Sequence, residues 1–213
     1  KNIFVTGNSV IDSLLITKKN ILKNQKKINK YFFIKYKIDI SSKKRLILVT
    51  GHRRESFGSG FKNICKSLKK ISIIYKNALI VYPVHLNPNV QTPVKKELAG
   101  IENIFLIDPL RYDHFVFLMV KSYLILTDSG GVQEEAPALG KPVLVMRNNT
   151  ERPESVNSGN SLIVGNKEAG IVENVRKIMD NALVHKKMSR IKFPYGDGKT
   201  SEKIFKIIEQ NLR

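Results

Sequence analysis

The chain has 213 residues, with 37 Lys and Arg against 18 Asp and Glu, a net charge of +19. That length suits one large or two small domains, and an apolar fraction of 42% excludes a disordered chain. The single Cys65 excludes a disulfide framework and a cysteine-rich metal site, and no apolar run approaches the ~20 residues of a membrane span. These readings predict a reducing, cytoplasmic compartment and no membrane partner.

The chain opens on Ile3-Phe4-Val5-Thr6-Gly7-Asn8, which reads as a strand entering a turn, and Val10, Ile11, Leu14 and Leu15 follow at helical spacing. A chain that begins within a strand predicts the second half of something longer. From Lys18 to Arg45, eleven basic residues stand against one acid, Asp39, so about half of the excess charge lies there. Base-reading surfaces lean on Arg for its bidentate fork, and here Lys outnumbers Arg about three to one. The favoured reading of 18–45 is a solvated face or drifted linker, with a nucleic-acid or lipid patch and a partner surface as alternatives.

Five short apolar runs, 46–50, 78–82, 103–107, 123–127 and 142–146, read as buried strands, each followed by a polar or glycine-bearing turn. Phe61, Ile64, Cys65, Leu68 and Ile71 recur on one helical face; Ile171, Val172, Val175, Ile178, Met179 and Ala182 recur on another. Strands alternating with helices predict a parallel α/β sheet. After the turn residues 193–198, a last helix is predicted with Thr200 or Ser201 as N-cap, carrying Ile204, Ile208 and Leu212.

In such sheets ligands bind beyond the carboxyl ends of the strands, so the loops leaving the strands are the candidate sites. Thr50-Gly51-His52-Arg53-Arg54-Glu55-Ser56-Phe57-Gly58 offers an imidazole and two guanidiniums to a phosphate; the alternative is a basic surface loop. Tyr82-Pro83-Val84-His85-Leu86-Asn87-Pro88 is favoured as a rigid turn. In Asp128-Ser129-Gly130-Gly131-Val132-Gln133-Glu134-Glu135, two glycines admit close backbone approach and the first-turn amides of a new helix form an anion site. A carboxylate further along that helix can accept both hydroxyls of a ribose, so the segment describes a nucleotide. Arg152, followed by Pro153, can pair with phosphate or sugar oxygens, or instead with Glu151 or Glu154. Phe115 either stacks on a base or packs in the core, where a lone aromatic in an apolar helix more often lies.

Other chemistries are poorly supported. His52, His85 and His114 lack close-spaced ligand partners, which argues against zinc. Thr127 stands where a serine-hydrolase elbow needs glycine, and no Walker motif is present.

The run from Thr127 to Arg147, then Thr150-Glu151-Arg152-Pro153-Glu154, closely resembles the non-hydrolysing UDP-N-acetylglucosamine 2-epimerases. Val5 to Asp12, Thr50 to Phe57 and Tyr82 to Pro88 are similar to that family in the same order. The resemblance implies an α/β fold with a Rossmann-like parallel sheet flanked by helices, the C-terminal half of a glycosyltransferase-B type two-domain fold. It divides the chain into a connecting segment of strand, helix and basic linker (1–45), a UDP-binding domain (46–198) and a C-terminal helix (199–213). By motif, Ser129, Gly130 and Gly131 would meet the diphosphate, Glu135 the ribose and Phe115 the uracil. His52 would be the catalytic residue near the phosphates, and Arg152 would contact the ligand from its own loop.

The family reaction inverts C2 of the sugar by eliminating UDP to a glycal and adding it back. The carboxylates for the C2 proton belong to the family's N-terminal domain, which is not in this sequence. The implied partners are UDP-GlcNAc and UDP-ManNAc through the UDP moiety, a separate N-terminal half and a homo-oligomer; no cofactor, metal or nucleic acid is expected. One alternative is a truncated, inactive remnant that at most binds UDP. A remote one is a basic nucleic-acid-binding module.

Overall fold

The computed structural model describes residues 3–211. In chain order its elements are α1 (Val10–Lys23), α2 (Gln25–Tyr36), β1 (Leu46–Thr50), α3 (Ser59–Ile74), β2 (Leu79–Pro83), α4 (Pro88–Leu98), β3 (Ile104–Ile107), α5 (Tyr112–Lys121), β4 (Leu124–Thr127), α6 (Gly130–Ala138), β5 (Val143–Val145), α7 (Pro153–Asn157), β6 (Ser161–Ile163), α8 (Glu168–Met179), α9 (Ala182–Met188) and α10 (Thr200–Asn211). A 3₁₀ turn occupies Arg54–Ser56.

The six strands form one parallel sheet in the order β3-β2-β1-β4-β5-β6, the Rossmann order. β1 lies inside it, and all five of its residues are buried. Successive side chains point to opposite faces. Ile47 and Val49 meet Phe61, Ile64 and Leu68 of α3 and Val175 of α8. Leu46 and Leu48 join the cluster of Ile11 and Leu14 from α1, Phe32 from α2 and Val116 from α5. Helices therefore cover both faces, as a sheet of continuous apolar strands requires.

The five predicted strands are present to within one residue at either end. β6 is an addition: a half-exposed edge strand that starts on Ser161, with Leu162 and Ile163 as its apolar residues. The strand expected in the opening segment is not formed. Residues 3–8 are irregular, with Ile3 and Val5 exposed, because the run pairs with neither edge strand and is held instead by Asn8 N donating to Tyr195 O at 2.7 Å.

The basic stretch is no drifted linker. It forms the C-terminal part of α1 and all of α2, whose inner faces bury Ile21, Ile28 and Phe32, and the segment after them buries Ile38 and Ile40. Its lysines lie mainly on the outer face, which masked the apolar period. Ala182 departs from its predicted helix: α8 stops at Met179, and Asn181 caps α9 by accepting from the amides of Leu183 and Val184.

α10 begins at Thr200 as expected, but its cap is remote. The Asp12 carboxylate of α1 accepts from Thr200 N at 3.1 Å and Ser201 N at 2.8 Å. Burial works against this charge, yet the amides and hydroxyls of Ser201 and Thr200 together outweigh it and hold the Asp12 carboxyl below its ordinary range. Ile204, Phe205 and Ile208 of α10 are exposed, and Leu212 lies outside the described residues.

Candidate functional site

The strand order reverses between β1 and β4, and a crevice opens where the loops leaving these neighbours run to opposite sides. Hydrogen bonds lock its floor. Thr50 and Thr127, register partners at the strand ends, bring their hydroxyls to 2.6 Å. One residue on, the fully buried Asp128 accepts from the amides of His52 and Arg53, both at 2.8 Å. The β4 turn thereby dictates the path of the β1 loop. From β2, Tyr82 Oη donates to Gly51 O at 3.0 Å, and a Cβ at Gly51 would lie 3.1 Å from that phenol oxygen.

Above this floor is a cavity of about 290 Å³ that brings together His52, Phe115, Ser129, Gly131 and Glu135. Leu110 and Tyr112 complete its apolar wall. Glu135 is buried and accepts a 2.5 Å hydrogen bond from Tyr112 Oη. Burial pushes its carboxyl up, and the Tyr112 bond partly pulls it back. The Tyr112 phenol is in turn held above its usual range by burial and by Glu135.

The other flank is the start of α6. Ser129 occupies the N-cap position without a side-chain cap, so the first-turn amides have no capping oxygen. A Cβ at Gly130 would lie 3.3 Å from Glu151 Oε1, 3.5 Å from Arg53 Nη2 and 3.7 Å from Arg152 Nη2. Two guanidiniums, each paired with a carboxylate (Arg53 with Glu151 at 2.9 Å, Arg152 with Glu134), thus converge on an uncapped helix start, which can receive an anion when those pairs open. Arg152 is outside the cavity wall. Its Nε donates to Glu134 and its Nη1 to Glu151 O at 3.1 Å, so the carboxylate it pairs with is Glu134 rather than Glu151 or Glu154. Arg147, nearly buried, spans Glu55 and Glu151 at 2.5 Å each and ties the β1 and β5 loops together.

The Tyr82–Pro88 loop places the His85 ring stacked on His52, with centroids 5.5 Å apart. His114 stays apart, bonded to Asp113 and packed on Tyr31. Among the described residues, no group of three His, Cys, Asp or Glu side chains is placed to hold a metal ion.

The sequence profile of the UDP-N-acetylglucosamine 2-epimerases matches residues 1–209. The chain belongs to that family. A UDP-N-acetylglucosamine 2-epimerase from Campylobacter jejuni is 52% identical over 210 residues, 98% of this chain and 55% of the relative. One from Escherichia coli K12 is 48% identical over 209 residues, again 98% of this chain and 55% of the relative. The chain therefore spans about half the length of the curated family members it matches. A crystal structure of the Neisseria meningitidis family member, bound to UDP-GlcNAc, superposes with a TM-score of 0.91 at 41% identity, covering 97% of this chain and 55% of that one. A Staphylococcus aureus MnaA–UDP co-structure gives 0.84 at 38%, covering 97% and 54%.

Set within the epimerase family, the site contains residues that sequence reasoning did not single out. Asp128 stood in the quoted motif without a role, although an acid at a strand end beside a glycine turn is a signal. Tyr112 gave none, because its partner Glu135 is 23 residues away in the chain, and the pairing of Glu134 with Arg152, 18 residues on, could not be read locally.

Proposed function

We propose that the chain supplies the UDP-holding half of a cytoplasmic UDP-N-acetylglucosamine 2-epimerase, an isomerase interconverting UDP-GlcNAc and UDP-ManNAc. One juxtaposition carries the reading: a small aromatic cavity with a buried carboxylate lies beside an uncapped helix start flanked by two guanidiniums. Base, ribose and diphosphate need those three environments in that order. Phe115 lies against the uracil, and Glu135 receives the ribose hydroxyls on the oxygen that Tyr112 leaves free. The amides of Ser129, Gly130 and Gly131 meet the diphosphate. Arg152 exchanges Glu134 for a phosphate oxygen, and His52 faces the bond between phosphate and sugar.

The reaction removes the C2 proton and breaks the bond from C1 to the diphosphate oxygen, which takes the electron pair; re-addition protonates C2 on the opposite face. This half stabilises the negative charge on the departing diphosphate, where preorganised donors act most strongly. The C2 acid and base fall to the other half of the fold. The uncovered face of α10, with Ile204, Phe205 and Ile208, supports a docking surface for that half.

Calorimetry tests the reading. UDP is expected to bind, and Arg152→Ala to weaken it by roughly tenfold or more, the loss of one charged hydrogen bond. The isolated chain is expected to leave UDP-GlcNAc unconverted. Absent UDP affinity alongside tight, salt-dependent DNA binding would overturn the proposal, and turnover by the isolated chain would overturn the division of labour.

A further inference from the structure

Among the described residues, one oxygen of Asp128 is hydrogen-bonded and the other is not. Oδ2 accepts the amides of His52 and Arg53. Oδ1 is buried and accepts no hydrogen bond from the described residues. A buried carboxylate oxygen without a donor is costly, so the position calls for one. His52 Nδ1 lies 3.5 Å from it, on a ring whose side chain is 40% exposed while Asp128 is fully enclosed. At that distance the contact is loose, and a small rotation of the imidazole closes it. Nδ1 can donate only if it carries the proton.

We propose that Asp128 is a positioning residue that holds His52 with the proton on Nδ1. Nε2, across the ring, is then the atom presented to the cavity: a bare acceptor on the neutral ring, a donor on the charged one. Its meeting with a diphosphate rests on the function proposed above; the tautomer does not.

The other histidines give internal references. His85, stacked on His52, accepts from Asn87 N at its own Nδ1 (3.1 Å), which puts its proton on Nε2. His185 Nε2 faces the Tyr123 carbonyl at 3.0 Å and must donate. His114 Nδ1 faces the Asp113 carboxylate at 2.9 Å and must donate. The stacked pair His52 and His85 therefore carries opposite tautomers.

Two-bond proton–nitrogen NMR spectra of the ring-labelled chain, recorded above the pH range in which imidazoles titrate, read this directly, with each His→Gln variant assigning its peaks. The expected pattern is Nδ1–H for His52 and His114 and Nε2–H for His85 and His185. Nε2–H, or an even mixture, at His52 overturns the proposal without recourse to any Asp128 variant. Asp128→Asn adds a sharper demand. The two loop amides still require an acceptor, so the new carbonyl faces them and the new amide donates toward His52 Nδ1, driving the ring to Nε2–H. A purely structural role for Asp128 would not invert the tautomer; an uninverted His52 in folded D128N overturns the proposal. UDP affinity of D128N is expected to fall by roughly tenfold, the loss of one charge-assisted contact. Unchanged affinity with an inverted ring overturns the step that reaches the ligand. If the unsubstituted chain binds no UDP, the proposed function fails while the tautomer still decides the role of Asp128.

Discussion

Residues 18–45 carry eleven basic side chains against one acid, and residues 103–165 carry five against seven. The first stretch dominates the protein's charge; the second holds most of the candidate site. In α1 and α2 the lysines stand mainly on a solvated face, with Lys35 reaching Asp108 at 3.0 Å between two exposed side chains. Around α6 the charges are fewer, half-buried and matched across the chain: Arg152 to Glu134, Arg147 to Glu55 and Glu151, Asp128 to the amides of the β1 loop. Exposed charges are screened within about 10 Å at ordinary salt, whereas partly buried ones act at lower effective dielectric. A charge total therefore describes the surface, and fixed, partnered charges describe the site.

The contrast would fail if the basic region were a loose appendage, and the largest expected effect tests that. Phe32 of α2 is wholly buried and stacks on Phe117 with centroids 6.2 Å apart. Phe32→Ala is expected to cost about 3–5 kcal/mol in urea unfolding, the usual range for deleting a buried aromatic ring. A loss under about 0.5 kcal/mol, typical of an open surface position, would return 18–45 to the status of a linker.

A smaller effect is expected at the seam between α1 and α10. Asp12→Asn keeps an acceptor but loses the charge, and is expected to cost about 1 kcal/mol at neutral pH, as for other helix caps. Because the folded Asp12 carboxyl lies below its ordinary range, its contribution is complete above the unfolded value and is lost as pH falls through the folded one. The gap between wild type and D12N should therefore close in acid. A gap constant with pH would mean that the carboxylate charge contributes nothing to the cap.

How far these features could be read in advance differs from element to element. The five predicted strands were legible because each lies in an almost continuous apolar run, as the strands of a covered parallel sheet do. As candidates, His52 and Ser129-Gly130-Gly131 stood out because strand-end position and residue type coincide, and Glu135 stood out as a carboxylate on the helix that follows. β6 was not legible, since this half-exposed edge strand starts on a serine and has only Leu162 and Ile163 as apolar residues. α2 was hidden by lysines on its outer face, and the failed strand at 3–8 shows that an apolar run that pairs with no strand remains irregular. The pairings that set the site's geometry, Tyr112 with Glu135 and Asp128 with the β1 loop, join segments 23 and 76 residues apart and depend on strand order, which local sequence does not encode.

The smallest expected effect is the most direct test of the contrast. Replacing Lys26, Lys27 and Lys30 together by Gln removes three charges from the exposed face of α2. Stability should stay within about 0.5 kcal/mol, since glutamine matches lysine in helix propensity and no packing is disturbed. UDP affinity should be unchanged at ordinary salt, because exposed ammonium groups outside the cavity are screened from a diphosphate held at α6. A severalfold loss of UDP affinity in this variant, approaching that of R152A, would mean that the lysine face steers the ligand after all. Charge number would then matter where charge placement is argued to.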